Sequence, residues 1–375
     1  GRGKRTRTIQ CGCVLVGSWP NHPITESRPE QVDVVFPEKF ASAPTVGSAL
    51  NLIDAEGGGG ARVVVSESDV TARGFRLHVR TWGNSKNWQV GVTWWAMGGG
   101  SDAKKHVPMT GILAKNGWPN KPLKPSKPWK QDIVSLPNPS VKGSVSFLAG
   151  LSMLDATCKV DLDFDTKIGF KKSFFGRESD KDIVVSCSTR HHLWGASVRW
   201  LVLPSDQVNA QAGVVVLAKG GNSTEGKVFS QEVKFPKAFQ SIPQVVVIIS
   251  GLHTDRHHNT RARAFATHVT RSGCIVHLES WFDSITTHAK VSWLAVEGEP
   301  ESVGSERDRY SAGATEDRKR HQLRKEEVNG TRMSTESAVA MFPRLPRDTI
   351  DAVVVANDGD PDRIVAELLA LASKN

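Results

Sequence analysis

The chain has 375 residues, too many for one small core, and implies roughly two to four domains. Its 39% hydrophobic and 23% charged residues exclude a wholly disordered protein, and a net charge of +9 is too mild and too dispersed to point to nucleic acid. No apolar run is long enough to span a bilayer, and the five scattered cysteines, Cys11, Cys13, Cys158, Cys187 and Cys274, give neither a disulfide framework nor metal-site spacing.

From residue 8 onward the sequence shows short period-two apolar runs such as QVDVVF, ARVVVSE and RLHVRTW, broken by Gly, Pro, Asn and Asp clusters. This pattern predicts antiparallel β-sandwiches of about six strands each. In GFRLHVRTW, Phe75, Leu77 and Val79 share one face, while Arg76, His78, Arg80 and Trp82 share the other. A tryptophan on the polar face of a strand either packs under a loop or against a neighbouring repeat, or offers an exposed face for stacking on a sugar ring.

The same stretch recurs as GCIVHLESW at Gly273–Trp281, an offset of 199 residues from Gly74. That offset also superposes FPEKFASAPTV on FPKAFQSIPQV, Arg62 on Arg261, and Trp94 on Trp293. A weaker copy lies between them: WPNHP returns as WPNKP, and WQVGVTWW as WGASVRWL. The expected organisation is three tandem six-stranded antiparallel sandwiches at 8–98, 106–204 and 208–298, joined by GGGSDAKK and PSDQVN. In the middle copy Ser188 aligns with the tryptophan and Lys159 roughly with the arginine, which predicts a degenerate, structural unit.

Residues 299–333 form a mixed-charge run too poor in apolar residues for a core and read as a flexible linker. Residues 334–374 regain apolar residues at helical spacing. TESAVAM, LPRDTIDAVVVAN and GDPDRIVAELLALAS predict three short helices, the last with Asp360 as N-cap and Pro361 at the first turn, so the tail reads as a small three-helix bundle.

A binding site needs placed polar groups beside an aromatic platform. Arg62 and Arg261 offer a planar fork of donors, Trp82 and Trp281 a stacking face, and Glu26 and Glu225 acceptors, all related by 199 residues. Nothing supplies a nucleophile with its base or a recognisable frame of paired carboxylates, so no enzyme, cofactor or metal is expected. GNSTEGKV matches a P-loop pattern, but Val228 stands where magnesium chemistry needs Ser or Thr, and a strand pattern follows.

The ordered set Phe36, Pro44, Ile53-Asp54, Arg62, Gly74-Phe75, Thr81-Trp82 and Trp94 resembles the H-type lectin domain. The resemblance implies a six-stranded sandwich that binds galactose or N-acetylgalactosamine, with trimeric assembly and sites near protomer interfaces. It assigns sugar contacts to Arg62, Trp82 and Trp88 in the first copy and to Arg261 and Trp281 in the third. Gly83 and Phe282 depart from the family's histidine, Thr287 from its second aromatic, and Glu26 and Glu225 stand one place after its acidic residue. Three copies in one chain imply an intramolecular pseudo-trimer.

MFPRLPRDTIDAVVVANDGDPDRIVAELL resembles the CUE domain, a three-helix relative of the UBA fold. That resemblance implies ubiquitin binding through Met341, Phe342, Pro343, Leu368 and Leu369. The expected protein is therefore a non-enzymatic lectin with glycans and ubiquitin as partners, no nucleic acid and no membrane span. Its expected location is the cytoplasm, although a chain that opens on Gly1 leaves room for a removed leader. The alternative is an adaptor whose sandwiches bind protein and which keeps ubiquitin binding only.

Overall fold

The computed structural model describes residues 9–18, 21–56, 60–98, 109–116, 129–137, 146–156, 161–172, 178–188, 193–203, 207, 209–218, 228–254, 258–282, 284–297 and 346–356, with scattered helical residues at 335, 338–339, 364, 367–368 and 371. Two compact units divide the chain at Pro300.

The first unit holds eighteen strands among the described residues. They are β1 (Ile9–Val16), β2 (Glu30–Val35), β3 (Thr45–Ala55), β4 (Ala61–Ser68), β5 (Gly74–Arg80) and β6 (Asn87–Met97) in the first sextet. The second comprises β7 (Met109–Asn116), β8 (Trp129–Pro137), β9 (Ser146–Ala156), β10 (Asp161–Lys172), β11 (Glu178–Ser188) and β12 (Leu193–Leu203). The third comprises β13 (Ala210–Ala218), β14 (Val228–Lys234), β15 (Gln244–Thr254), β16 (Thr260–Thr267), β17 (Gly273–Glu279) and β18 (Thr286–Val296). Within β5, Phe75, Leu77 and Val79 are buried and the alternate residues are not, as period-two patterning dictates.

The strands pair antiparallel in three six-stranded sheets, and no sheet belongs to one sextet. Their orders are β1-β6-β3-β16-β17-β14, β13-β18-β15-β10-β11-β8 and β2-β5-β4-β9-β12-β7. Each sextet contributes one half, ordered like β1-β6-β3, to one sheet and the other half, ordered like β2-β5-β4, to another. The three expected six-stranded units therefore share their sheets rather than each holding two of its own. An open three-stranded half leaves unpaired backbone groups at its inner edge, and here the neighbouring sextet satisfies them. Three seams result: β4 with β9, β16 with β3, and β10 with β15.

Two kinds of core follow. The larger cluster fills the sandwiches, where Phe36 meets Phe40, Phe75 and Trp94 at ring distances of 5.0–5.8 Å, and Phe235 repeats the pattern with Phe239 and Trp293. Gly12 and Gly213 lie against Trp94 and Trp293, where a Cβ would stand 2.7 Å from the indole in either case. The second cluster draws on all three sextets: Ile9, Ala49 and Trp95 from the first, Leu148 and Leu201 from the second, and Val246, Ile248 and Leu294 from the third. Buried hydroxyls also pair across sextets. The Thr93 hydroxyl donates to the Val247 carbonyl at 2.8 Å, and Ser292 donates to the Ala149 carbonyl at 2.9 Å.

The register of the third seam corrects two alignments in the middle copy. Arg62 faces Asp155 and Arg261 faces Asp54, whereas Asp161 faces His253. Asp161 rather than Lys159 therefore occupies the arginine position. Ser188, opposite Asp163, matches Arg80, which stands opposite Val64, and does not match Trp82. A sequence without gaps in its strong motifs hides the two-residue shift, because the middle copy changes its loop lengths.

In the second unit the described helix α1 (Arg347–Ala356) starts after Pro346, whose carbonyl accepts from the Thr349 and Ile350 amides at 3.1 Å. Ile350 and Val353 are buried with Ala338, Ile364 and Leu368. Met341, Phe342, Pro343, Leu369 and residues 299–333 lie outside the described residues, as do residues 99–108, 204–206 and 208 between the sextets. Among the described residues no helix is long and apolar enough to cross a membrane.

Candidate functional site

Each arginine that the sequence singles out stands at a seam. Arg62 is the second residue of β4, and its main chain is fixed within the first sextet: Ser85 Oγ accepts from its amide at 3.2 Å, while its carbonyl accepts from Thr81 Oγ1 at 2.6 Å and Asn87 Nδ2 at 2.9 Å. Its side chain is held from elsewhere. Nε donates to Asp155 Oδ1 on β9 at 3.3 Å, and Nη1 donates to Asn84 Oδ1 at 2.9 Å.

Asp155 is 4% exposed, so its charge sits in a poorly solvated place. Burial pushes its carboxyl above the ordinary carboxylate range, partly offset by the Arg62 guanidinium and by a hydrogen bond from the Trp82 side chain. Indole can only donate, so one carboxylate receives both the arginine and the tryptophan. Trp82 is half-buried and lies off the sandwich core, beside Asp155 of the neighbouring sextet.

The loop after Trp82 completes this cluster. Gly83 has φ +62° and donates its amide to Glu26 Oε2 at 3.1 Å, which places Glu26 beside the loop after Trp82. A Cβ on Gly83 would lie 3.1 Å from Arg62 Nη1. Trp88, also half-buried, carries Lys86 Nζ 4.8 Å from its ring centroid, with the ammonium paired to Glu56 at 3.0 Å.

The second cluster repeats the first with different trim. Arg261 Nε donates to Asp54 Oδ1 at 3.2 Å, and Ser284 Oγ accepts from the Arg261 amide at 3.0 Å. Trp281 is half-buried. Phe282 takes the left-handed place of Gly83 with φ +53°, is 43% exposed, and lies with its ring centroid 5.0 Å from the guanidinium carbon. Left-handed backbone is costly for an aromatic residue and is tolerated where local structure enforces it. Glu225 lies outside the described residues.

The third seam differs. Asp161 and His253 occupy the register positions of arginine and aspartate, and His253 lies against His288 across β15 and β18 with ring centroids 4.5 Å apart and planes tilted by 41°. Among the described residues no group of three or more His, Cys, Asp or Glu is arranged to hold a metal ion.

The sequence named Asp54 as part of the repeated pattern but gave no site role to it, to Asp155, to Asn84 or to the buried pair Ser85 and Ser284. A signal was present: NLIDA at 51–55 returns as SMLDA at 152–156, with the acid in the same place. Which arginine each acid serves is set only by the seams.

The model of the H-type lectin domain matches residues 31–97 and 230–296. A protein described as "ATP synthase subunits region ORF 7" from Fuscovulum blasticum is 31% identical over 71 residues, covering 19% of this chain and 62% of that protein. The chain thus spans about three fifths of that relative's length, under two thirds of it. Two solved structures of discoidin II from Dictyostelium discoideum, the recombinant and the wild-type protein, are 14% and 16% identical. Each covers 50% of this chain, and 95% and 94% of its own, with a TM-score of 0.22. The two segments that the H-type lectin domain matches, 31–97 and 230–296, are the ones that carry Arg62 with Trp82 and Arg261 with Trp281.

Proposed function

We propose that the chain is a non-enzymatic lectin that binds galactose- or N-acetylgalactosamine-type glycans at the Arg62 and Arg261 clusters. The observation that carries this reading is the recurrence, in two matched lectin domains, of an arginine fixed through Nε beside a half-buried tryptophan at a sheet seam. A guanidinium presents fork-like donors to vicinal hydroxyls, and an indole face suits the apolar face of a pyranose. Glu26 extends the first cluster through Gly83, and Trp88 and Glu225 are proposed as further sugar contacts of the first and second sites.

The cyclic strand sharing supports an intramolecular counterpart of the trimer, with copies at 8–98, 106–204 and 208–298 and the middle one kept chiefly for the ring. Residues 334–374 are proposed as a CUE domain that binds ubiquitin. Burial of Leu368 beside Ile350 and Ile364 assigns it to the bundle core, leaving Met341, Phe342, Pro343 and Leu369 for the partner. A cytoplasmic location goes with this reading.

A glycan array tests the lectin reading. Signal on terminal galactose or N-acetylgalactosamine, abolished in an Arg62→Ala/Arg261→Ala variant, is the expected result. A folded wild-type chain that binds ubiquitin and no glycan would instead identify an adaptor.

A further inference from the structure

We infer that Asp155 and Asp54 are positioning residues that hold the two arginine clusters in working shape, so that each glycan site belongs to two sextets and the middle sextet completes the site of Arg62. The inference rests on the proposed lectin function for the ligand, but the positioning itself is a property of the unliganded chain.

Arginine is long and costs conformational entropy when a ligand must freeze it. Here the freezing is done in advance. The Arg62 main chain is locked inside its own sextet by Ser85, Thr81 and Asn87, while the guanidinium is aimed by Asp155 from β9 and by Asn84. Asp155 also stands beside the Trp82 side chain, so one acid neighbours both the donor fork and the ring. Removing it would free both at once.

The arrangement recurs independently. Arg261 and Asp54 are far apart in the chain, 207 residues, yet meet at the same register position and within 0.1 Å of the same separation, 3.2 Å against 3.3 Å. A buried ion pair is a poor source of stability, because both charges lose water, and the upward push on Asp155 shows that loss outweighing its partners. Two such pairs kept at two matched places fit a positioning role better than a stabilising one. The third seam lacks the pair, since Asp161 stands where an arginine would be. The middle sextet, expected from sequence to be structural only, therefore supplies Asp155 to the first site, and the first supplies Asp54 to the third.

The test uses the full chain, Asp155→Asn and Asp54→Asn, each with its charge-restoring partner variant Asp155→Glu or Asp54→Glu. Nitrogen–proton NMR follows the Arg62 and Arg261 Nε–H and the Trp82 and Trp281 indole signals, and calorimetric titration uses N-acetylgalactosamine as the probe. Asp155→Asn is expected to move the Arg62 and Trp82 signals only, and Asp54→Asn the Arg261 signal only. Each should weaken its own site about 10-fold or more and reduce the measured stoichiometry from about two to about one. The glutamate variants should recover part of the affinity. Unmoved Arg62 and Trp82 signals in a folded Asp155→Asn chain, or equal loss at both sites, would overturn the positioning role. Absence of any N-acetylgalactosamine binding by the wild type would end the glycan reading, while the NMR shifts would still decide whether the acids position the arginines.

Discussion

Gly150 on β9 lies so close to Ile248 on β15 that a Cβ built on the glycine would stand 2.0 Å from the isoleucine Cγ2 and 2.8 Å from the Cβ of Ala49 on β3. Those three residues come from three different sextets, so the glycine marks where all of them meet. Gly150→Val should force this contact apart and destabilise the first unit by roughly 1–3 kcal/mol. Chemical denaturation measures it, and an unchanged midpoint would mean that the three sextets do not pack there.

Trp95 is fully buried in the same cluster, with a Cβ on Gly47 only 2.5 Å from its ring. Trp95→Ala leaves a cavity between sextets and should cost about 3–5 kcal/mol. Trp94→Ala empties the interior of one sandwich instead. Thermal melting of the two variants should show a loss of similar size, because unfolding of one sextet removes strands from sheets shared with its neighbours.

Asp155 gives pH dependence of unusual sign. Its folded-state pKa lies above the ordinary 3.8, so the folded chain keeps the proton over a window in which the unfolded chain has lost it. Its contribution to stability is therefore present in full below 3.8 and is lost as pH rises through the folded-state value. Binding should move the opposite way, since protonation removes the charge that aims Arg62. On acidification into that window, N-acetylgalactosamine affinity at the Arg62 site should fall while the fold persists. In Asp155→Asn the fall should vanish; titrations over a pH series with circular dichroism as a control read both.

Gly83 holds the left-handed conformation against Arg62. Gly83→Ala should destabilise by about 1 kcal/mol from backbone strain and also displace the guanidinium. Loss of affinity at the Arg62 site, with the Arg261 site unchanged, is the expected calorimetric result. Equal affinity in the variant would show that Arg62 does not need its present place.

Much of this molecule was legible in its sequence for a local reason. Side-chain parity along a strand is fixed by the pleat, so Phe75, Leu77 and Val79 had to face inward, and they are buried. The repeat of 199 residues carried Phe36, Trp94 and their partners Phe235 and Trp293 into equivalent cores. The glycine at 83 and the arginines at strand starts were also visible. Glu26 was visible as a polar group of the repeat, and it meets the loop after Trp82 through the Gly83 amide.

Only the tertiary structure decided which strands share a sheet. Backbone hydrogen bonds are the same at every edge, so sequence periodicity could not tell that β4 would turn to β9 rather than close on its own sextet. The acids that hold Arg62 and Arg261 lie 93 and 207 residues away, and nothing local ties them to those arginines. The tryptophan that seemed misplaced on a polar face is in place once Asp155 crosses the seam to meet its indole N–H. Sequence determined the strands and the residue types available for binding, because those follow from neighbours along the chain. The seams determined the sites, because those follow from neighbours in space.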